Sequence, residues 1–192
     1  MTENLKLSLG AGTAIHEFVY DDAVPWPNAP DGSGSSLTLA CVESGVNHAD
    51  PDVWRASVAW GGSPGTDDST SIDDWLTAFG LSAGDEFLDG DGDGLLSKVE
   101  YAIGTDPTMA GSSNPLIVSL IGDDAYYSYT RSRTADGVTV IAEYSSDLSN
   151  WAPAEIVSSN DQGGGIDQVT VRRFGPGSGE TQGFFRLRVE LK

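Results

Sequence analysis

Cysteine is nearly absent: Cys41 is the one thiol in 192 residues. No internal disulfide can form, so the covalent framework of many small secreted domains is excluded. Cys41 lies in the apolar run from Leu37 to Val42 and reads as a buried small hydrophobe rather than a reactive thiol. Basic residues are scarce, with 10 Lys and Arg against 29 Asp and Glu and a formal net charge of -19. A surface this acidic repels phosphate backbones and argues against nucleic-acid binding. It suits the binding of cations, or solubility outside a cell. Long apolar runs are missing as well, so no membrane insertion is expected. The N-terminal stretch MTENLKLSLG has no apolar core of a signal peptide. Two histidines, His16 and His48, with one cysteine do not supply zinc-site spacing. No G-x-S-x-G elbow marks a nucleophile.

Glycine, by contrast, is abundant at 24 residues, and hydrophobic content is 39%. Many glycines between short apolar runs imply a chain rich in strands and turns. The most specific stretch runs from Asp89 to Glu100, DGDGDGLLSKVE. It fits the calcium-loop spacing D-x-D-x-D-G-x5-E at every specified place. Asp89, Asp91 and Asp93 take loop positions 1, 3 and 5. Gly94 takes the sharp turn at position 6. Leu95 offers its backbone carbonyl, Ser97 stands at position 9, and Glu100 takes position 12, where a carboxylate closes the shell. A hard cation with about 6–8 oxygen ligands needs this density of carboxylates. Without an ion, three Asp at alternate positions repel one another. Calcium could here take over the stapling role of disulfides.

In chain order, residues 1–66 read as strands and ordered loops. Leu5, Leu7 and Leu9 alternate with polar residues, as do the two faces of Ile15 to Tyr20 and the run Leu37, Leu39, Cys41. Gly61 to Gly65 is a strong stop signal. Residues 67–110 are acid-dense, with Lys98 as the lone base. Ser71 reads as an N-cap, and Ile72, Trp75, Leu76 and Phe79 predict a helix over 72–79 ended by Gly80. Leu96, Val99 and Ile103 predict a second short helix, ended by Gly104 and kept from extending by Pro107. Asp106 reads as a turn residue rather than a ligand. Residues 111–192 read as a second all-β module. Its strand candidates are 116–121, 125–131, 138–144, 156–158, 169–173 and 184–191, with turns at Asp123-Asp124 and Asp136-Gly137.

The strand Ile15 to Tyr20, the Trp26-Pro27 loop, the segment Asp31 to Leu37, Trp54 to Ser57 and the closing Gly62 to Gly65 together resemble the back half of the bacterial lamin-tail domain. That resemblance implies an immunoglobulin-like sandwich. The family domain begins several strands earlier, so it also implies an N-terminally truncated domain whose open face is covered by the C-terminal module or by a second copy. Asp89 to Pro107, ending in EYAIGTDP, resembles the single calcium-loop motif near the C-termini of exported proteins of Verrucomicrobia-like bacteria. The run Glu143 to Trp151 and the closing Phe185-Arg186-Leu187 resemble the module that follows it there. The resemblance implies Asp89, Asp91, Asp93, Leu95 (carbonyl), Ser97 and Glu100 as the ion site. Sensor EF-hands commonly pair and dockerins carry two loops; here there is one, which suits a fixed structural site.

Other residue types admit other readings. The acidic pairs Asp21-Asp22, Asp50/Asp52 and Asp123-Asp124 could serve acid-base chemistry, but on so acidic a chain they read as solvated turn residues. Trp26, Trp54, Trp60 and Trp151 could stack on sugars. Core or loop packing is the stronger reading for three of them, and Trp60 is expected to be free. Arg131, Arg133, Arg172, Arg173, Arg186 and Arg188 read as ordinary surface charge. The expected fold is mainly β: a truncated lamin-tail-like, immunoglobulin-like sandwich and a second small β-sandwich, joined by a short calcium-binding helix-loop-helix. The expected function is non-catalytic: a calcium-binding structural or interaction region of a secreted or cell-surface bacterial protein, with Ca2+ rigidifying the junction between the β modules. Its partners are Ca2+ and a protein or glycan ligand, with self-association through the incomplete N-terminal sandwich. The alternative is a carbohydrate-binding or carbohydrate-active (hydrolase) accessory module.

Overall fold

The computed structural model describes residues 2–10, 12–40, 45–112, 116–121, 124–173 and 182–192. Cys41 and Asp123 lie outside the described residues. The chain divides into two compact units, Met1–Asp68 and Ser69–Lys192. The described structure is mainly β, with several small antiparallel sheets and two short helices.

In the first unit, β1 (Glu3–Leu9) and β2 (Thr13–Tyr20) form an antiparallel hairpin with a register shift between Leu7 and Ser8. β3 (Leu37–Leu39) pairs with β4 (Trp54–Ala56). Rings supply much of the packing. Phe18 stacks on Trp54 at 5.4 Å between centroids, and Trp26 is buried edge-on to Tyr20. Such pairs contribute beyond their buried area. Arg55 and Asp68, both nearly inaccessible, pair at 2.6 Å, and Asp68 also accepts the Val58 N–H at 2.9 Å. Burial of the pair is tolerable in a low-dielectric setting because the carboxylate's lone pairs are taken up.

The second unit begins with α1 (Ile72–Ala78). The Ser71 hydroxyl accepts the Asp74 N–H at 3.1 Å, and Asp73 and Asp74 sit in the first turn, where the helix dipole favours them. A 3-10 turn (Asp85–Phe87) leads into the acidic loop, and α2 (Ser97–Ile103) follows. Then come β5 (Ile117–Ile121), β6 (Asp124–Ser132), β7 (Val138–Ser145), β8 (Ala152–Pro153), β9 (Glu155–Gly163), β10 (Ile166–Arg172) and β11 (Phe184–Leu191). They form two antiparallel sheets, ordered β5-β6-β10-β9 and β11-β7-β8. β10 shows the expected alternation, with Asp167, Val169 and Val171 buried between half-exposed neighbours. Tyr127, Tyr129, Val169 and Val171 of one sheet share a core with Ala142 of the other.

A second core seats the helices. Tyr101 and Ala102 of α2 pack with Ala135, Val138 and Val189, and Ile72 and Trp75 of α1 close over them. An isolated helix of seven residues is not stable in water, so this burial is what makes α2 a helix. Its C-terminus is fixed from outside. The Thr130 hydroxyl of β6 donates to the Ile103 carbonyl at 2.8 Å. Gly104 holds φ at 79°, and a Cβ there would lie 2.4 Å from the Ile166 side chain, so both backbone and space demand glycine.

Arg133 does not follow the surface-charge expectation. It is 3% exposed, with Nε and Nη2 both on Asp167 Oδ1 at 2.9 and 2.5 Å and Nη2 3.1 Å from Asp161. A guanidinium's fork can satisfy two carboxylates at once, which makes its burial tolerable.

Candidate metal centre

Between the 3-10 turn and α2, the loop folds around its own carboxylates. Asp89 Oδ1 accepts the Gly92 N–H at 2.8 Å and Asp89 Oδ2 the Gly94 N–H at 3.0 Å. Asp91 accepts the Asp93 N–H at 3.1 Å, and Asp93 the Leu95 N–H at 2.9 Å. These are Asx-type turns, a local geometry that short acidic side chains make with backbone two or more residues on. Gly94 stands at φ 97°, and the space a Cβ would enter is empty, so the requirement is on the backbone alone.

The consequence is a cluster. One carboxylate oxygen from each of Asp89, Asp91 and Asp93 lies within 4.8 Å of the others. Asp89 is exposed, Asp91 and Asp93 half-buried. Such a triad can hold a divalent cation.

Glu100 does not join that tight group, but stands behind it at full burial. Its Oε1 accepts from the Thr105 hydroxyl at 3.3 Å. Burial, and then the charges of Asp91 and Asp93, push its carboxyl up to about 7; Asp106 adds to the rise and the Thr105 hydroxyl opposes it. Three buried carboxylate oxygens have no hydrogen-bond partner: Asp91 Oδ2, Asp93 Oδ2 and Glu100 Oε2. Buried polar atoms are nearly always paired, because an unpaired one costs about 1–3 kcal/mol. Two of these atoms lie in the acidic loop and the third on α2, and unpaired carboxylate oxygens there are compatible with a bound cation. Ser97 is buried, with both its N–H and hydroxyl donating to the Leu88 carbonyl, at 2.9 and 3.2 Å. It thereby ties the start of the loop to the start of α2. Asp106 accepts the Thr108 N–H and hydroxyl, as befits a turn residue.

The remaining candidates disperse. Asp21 accepts from Thr2 and the Ala23 N–H, and Asp50 caps the 3-10 turn (Pro51–Val53) by accepting the Asp52 N–H. Trp54 donates to the His48 carbonyl and Trp151 to the Leu148 carbonyl. Arg186 lies 4.0 Å over the Trp151 ring while pairing with Glu143 at 2.7 Å. Trp60 is 84% exposed. His16 and His48 meet edge to face at 4.4 Å, a contact across 32 residues that no local pattern announces. Among the described residues, no helix is long and apolar enough to cross a membrane. Comparison with protein-family models, with curated proteins and with solved structures finds no match to this chain.

Proposed function

We propose that this chain is a non-catalytic, calcium-binding structural and interaction region of an exported or cell-surface protein. The observation that carries the reading is the set of three partnerless buried oxygens on Asp91, Asp93 and Glu100 beside the gathered Asp triad. Asp89, Asp91 and Asp93 would hold the ion, with the Leu95 carbonyl, Ser97 and Glu100 as the further donors of the twelve-residue pattern. Bound calcium supplies positive charge that offsets the mutual repulsion of the acids. The chain's own residues do the rest. Ser97 ties the loop to Leu88. Tyr101 and Thr130 fasten α2 to its surroundings, through Thr70 and Ile103. Tightening the loop therefore stiffens the stretch of chain that follows Asp68. Calcium, rather than a smaller ion, is favoured by the count of carboxylate and carbonyl oxygens. The first unit is read as a lamin-tail-like domain, supported by its antiparallel strand pairs and the buried Trp26.

A melting curve in excess EDTA, then across calcium from micromolar to tens of millimolar, tests the reading. Binding to the folded state alone adds about 2.7 kcal/mol at a hundredfold excess over Kd. The midpoint should climb with calcium and stay flat in Asp89→Ala/Glu100→Gln. A midpoint indifferent to calcium in the wild-type chain sinks the proposal.

A further inference from the structure

Among the described residues, β5 is the outer strand of the sheet β5-β6-β10-β9 and pairs only through its β6 side. Proteins guard such edges with charge, proline or a covering element, because a row of unpaired backbone groups templates further pairing. β5 carries no charge or proline within its span, and among the described residues no element pairs with its outer edge. Ile117–Ile121 reads IVSLI, five residues without a charge in a chain of net charge -19. Every residue is exposed, the four aliphatic ones from 49% for Ile117 to 76% for Leu120. Val118 and Leu120 also border a groove of about 680 Å³ with Tyr127, Trp151 and Phe185, so the apolar surface continues inward from the edge.

We propose that β5 is a self-association surface whose occupant is β5 of a second copy of this chain, paired antiparallel about Ser119. The strand is close to a palindrome in chemistry. Antiparallel pairing centred on Ser119 sets Ile117 against Ile121 of the second copy and Val118 against Leu120, aliphatic facing aliphatic on both faces. That self-complementarity is what a twofold interface requires, and an unrelated peptide has no reason to match it. The lack of charge matters equally: two chains this acidic can approach closely only where the meeting surface carries no carboxylate. The exposed apolar area of Leu116, Ile117, Val118, Leu120 and Ile121 on two protomers, on the order of 1,000 Å², caps what this pairing can bury near the lower bound for a specific interface, so the expected dimer is a weak one in the micromolar range.

Sedimentation equilibrium of the full chain in millimolar calcium reads the association directly. A monomer–dimer equilibrium is expected, with Val118→Lys and Leu120→Glu each shifting it at least tenfold toward monomer. Mixing those two variants should restore the dimer, because the substituted position 118 of one protomer then sets an ammonium against a carboxylate at the substituted position 120 of the other. Circular dichroism of each variant confirms that it folds. In a Cys41→Ser background, Ser119→Cys should cross-link to a disulfide dimer under mild oxidation, since residues directly opposite lie about 4.5–5.5 Å apart. Monomer alone at 200 micromolar chain overturns the proposal. So do open-ended assemblies, dimers that Ser119→Cys fails to lock, and dimers indifferent to the paired charges.

Discussion

The Tyr101 hydroxyl donates to the Thr70 carbonyl at 2.5 Å and accepts the Gly137 N–H at 3.4 Å. One phenol thus joins α2, the strap before α1 and the turn that opens β7. Tyr101 is 1% exposed and follows Glu100 directly. Its substitution tests whether the acidic loop depends on that seat. Tyr101→Phe keeps the ring and leaves two half-buried backbone groups without this partner, so it should cost about 1 kcal/mol. Chemical denaturation of the two chains side by side measures the loss, and an unchanged midpoint would show the hydroxyl to be idle.

Glu100 has a pH signature of its own. Its carboxyl is raised to about 7, chiefly by burial and by Asp91 and Asp93. A carboxyl raised on folding contributes stability fully below its unfolded value, near 4.3, and loses it as pH rises through 7. The calcium-free chain should therefore weaken between pH 5 and pH 8. Glu100→Gln should raise the stability of the calcium-free chain at pH 8, by on the order of 2 kcal/mol, while abolishing the calcium response. A variant less stable than wild type in EDTA at pH 8 would contradict this account.

Arg133 and Asp167 call for a double-mutant test. Arg133→Met leaves Asp167 buried without its main partner and should cost about 3–5 kcal/mol. Arg133→Met/Asp167→Leu should recover most of that loss, because replacing a buried pair by apolar side chains is often neutral or better. Urea denaturation of both variants separates the outcomes. Equal destabilisation in the two would mean that the charge pair is not what holds this corner.

Acid should act on the first unit through Asp68. Burial alone raises its carboxyl, but the Arg55 guanidinium and the Val58 N–H more than offset this, leaving it below the usual carboxylate range. A carboxyl lowered on folding contributes above its unfolded value and loses that contribution as pH falls through the folded one. Asp68→Asn should cost about 3 kcal/mol at neutral pH and progressively less as pH falls below the usual carboxylate range. Urea denaturation along a descending pH series measures the loss, and a loss that stays the same size throughout would place the effect elsewhere.

Much of the architecture could be read in the chain because its signals are local. The capping serine, the spacing of Ile72, Trp75, Leu76 and Phe79, and the glycines after each helix mark α1 and α2 to within a residue or two. The acidic loop is legible from the positions of Asp89, Asp91, Asp93 and Gly94 alone. Strand β9 is longer than its apolar residues suggest: Asn160 and Asp161 stay extended because they pair with Gln168 and Asp167 of β10. β8, two residues ending in Pro153, carries no pattern and exists through its pairing with β7. Arg133 and Asp167 are 34 residues apart, and nothing near either one distinguishes a buried guanidinium from a solvated one. Sequence spacing locates Glu100 but cannot show that Thr105 occupies one of its oxygens while the other is left over.

Both oxygens of Asp89 engage N–H groups of their own loop, those of Gly92 and Gly94. On the proposed reading, a cation arriving there would find the Asp89 turn already formed and have less chain to organise. Discrimination would then rest on how readily the ion sheds water and how well its radius suits the three carboxylates. Magnesium, which demands near-octahedral contacts of about 2.0–2.1 Å and dehydrates reluctantly, would have to contract a backbone that is already committed. On the calcium-binding reading proposed above, the turn geometry of Asp89 would make the loop a size filter as well as a charge trap.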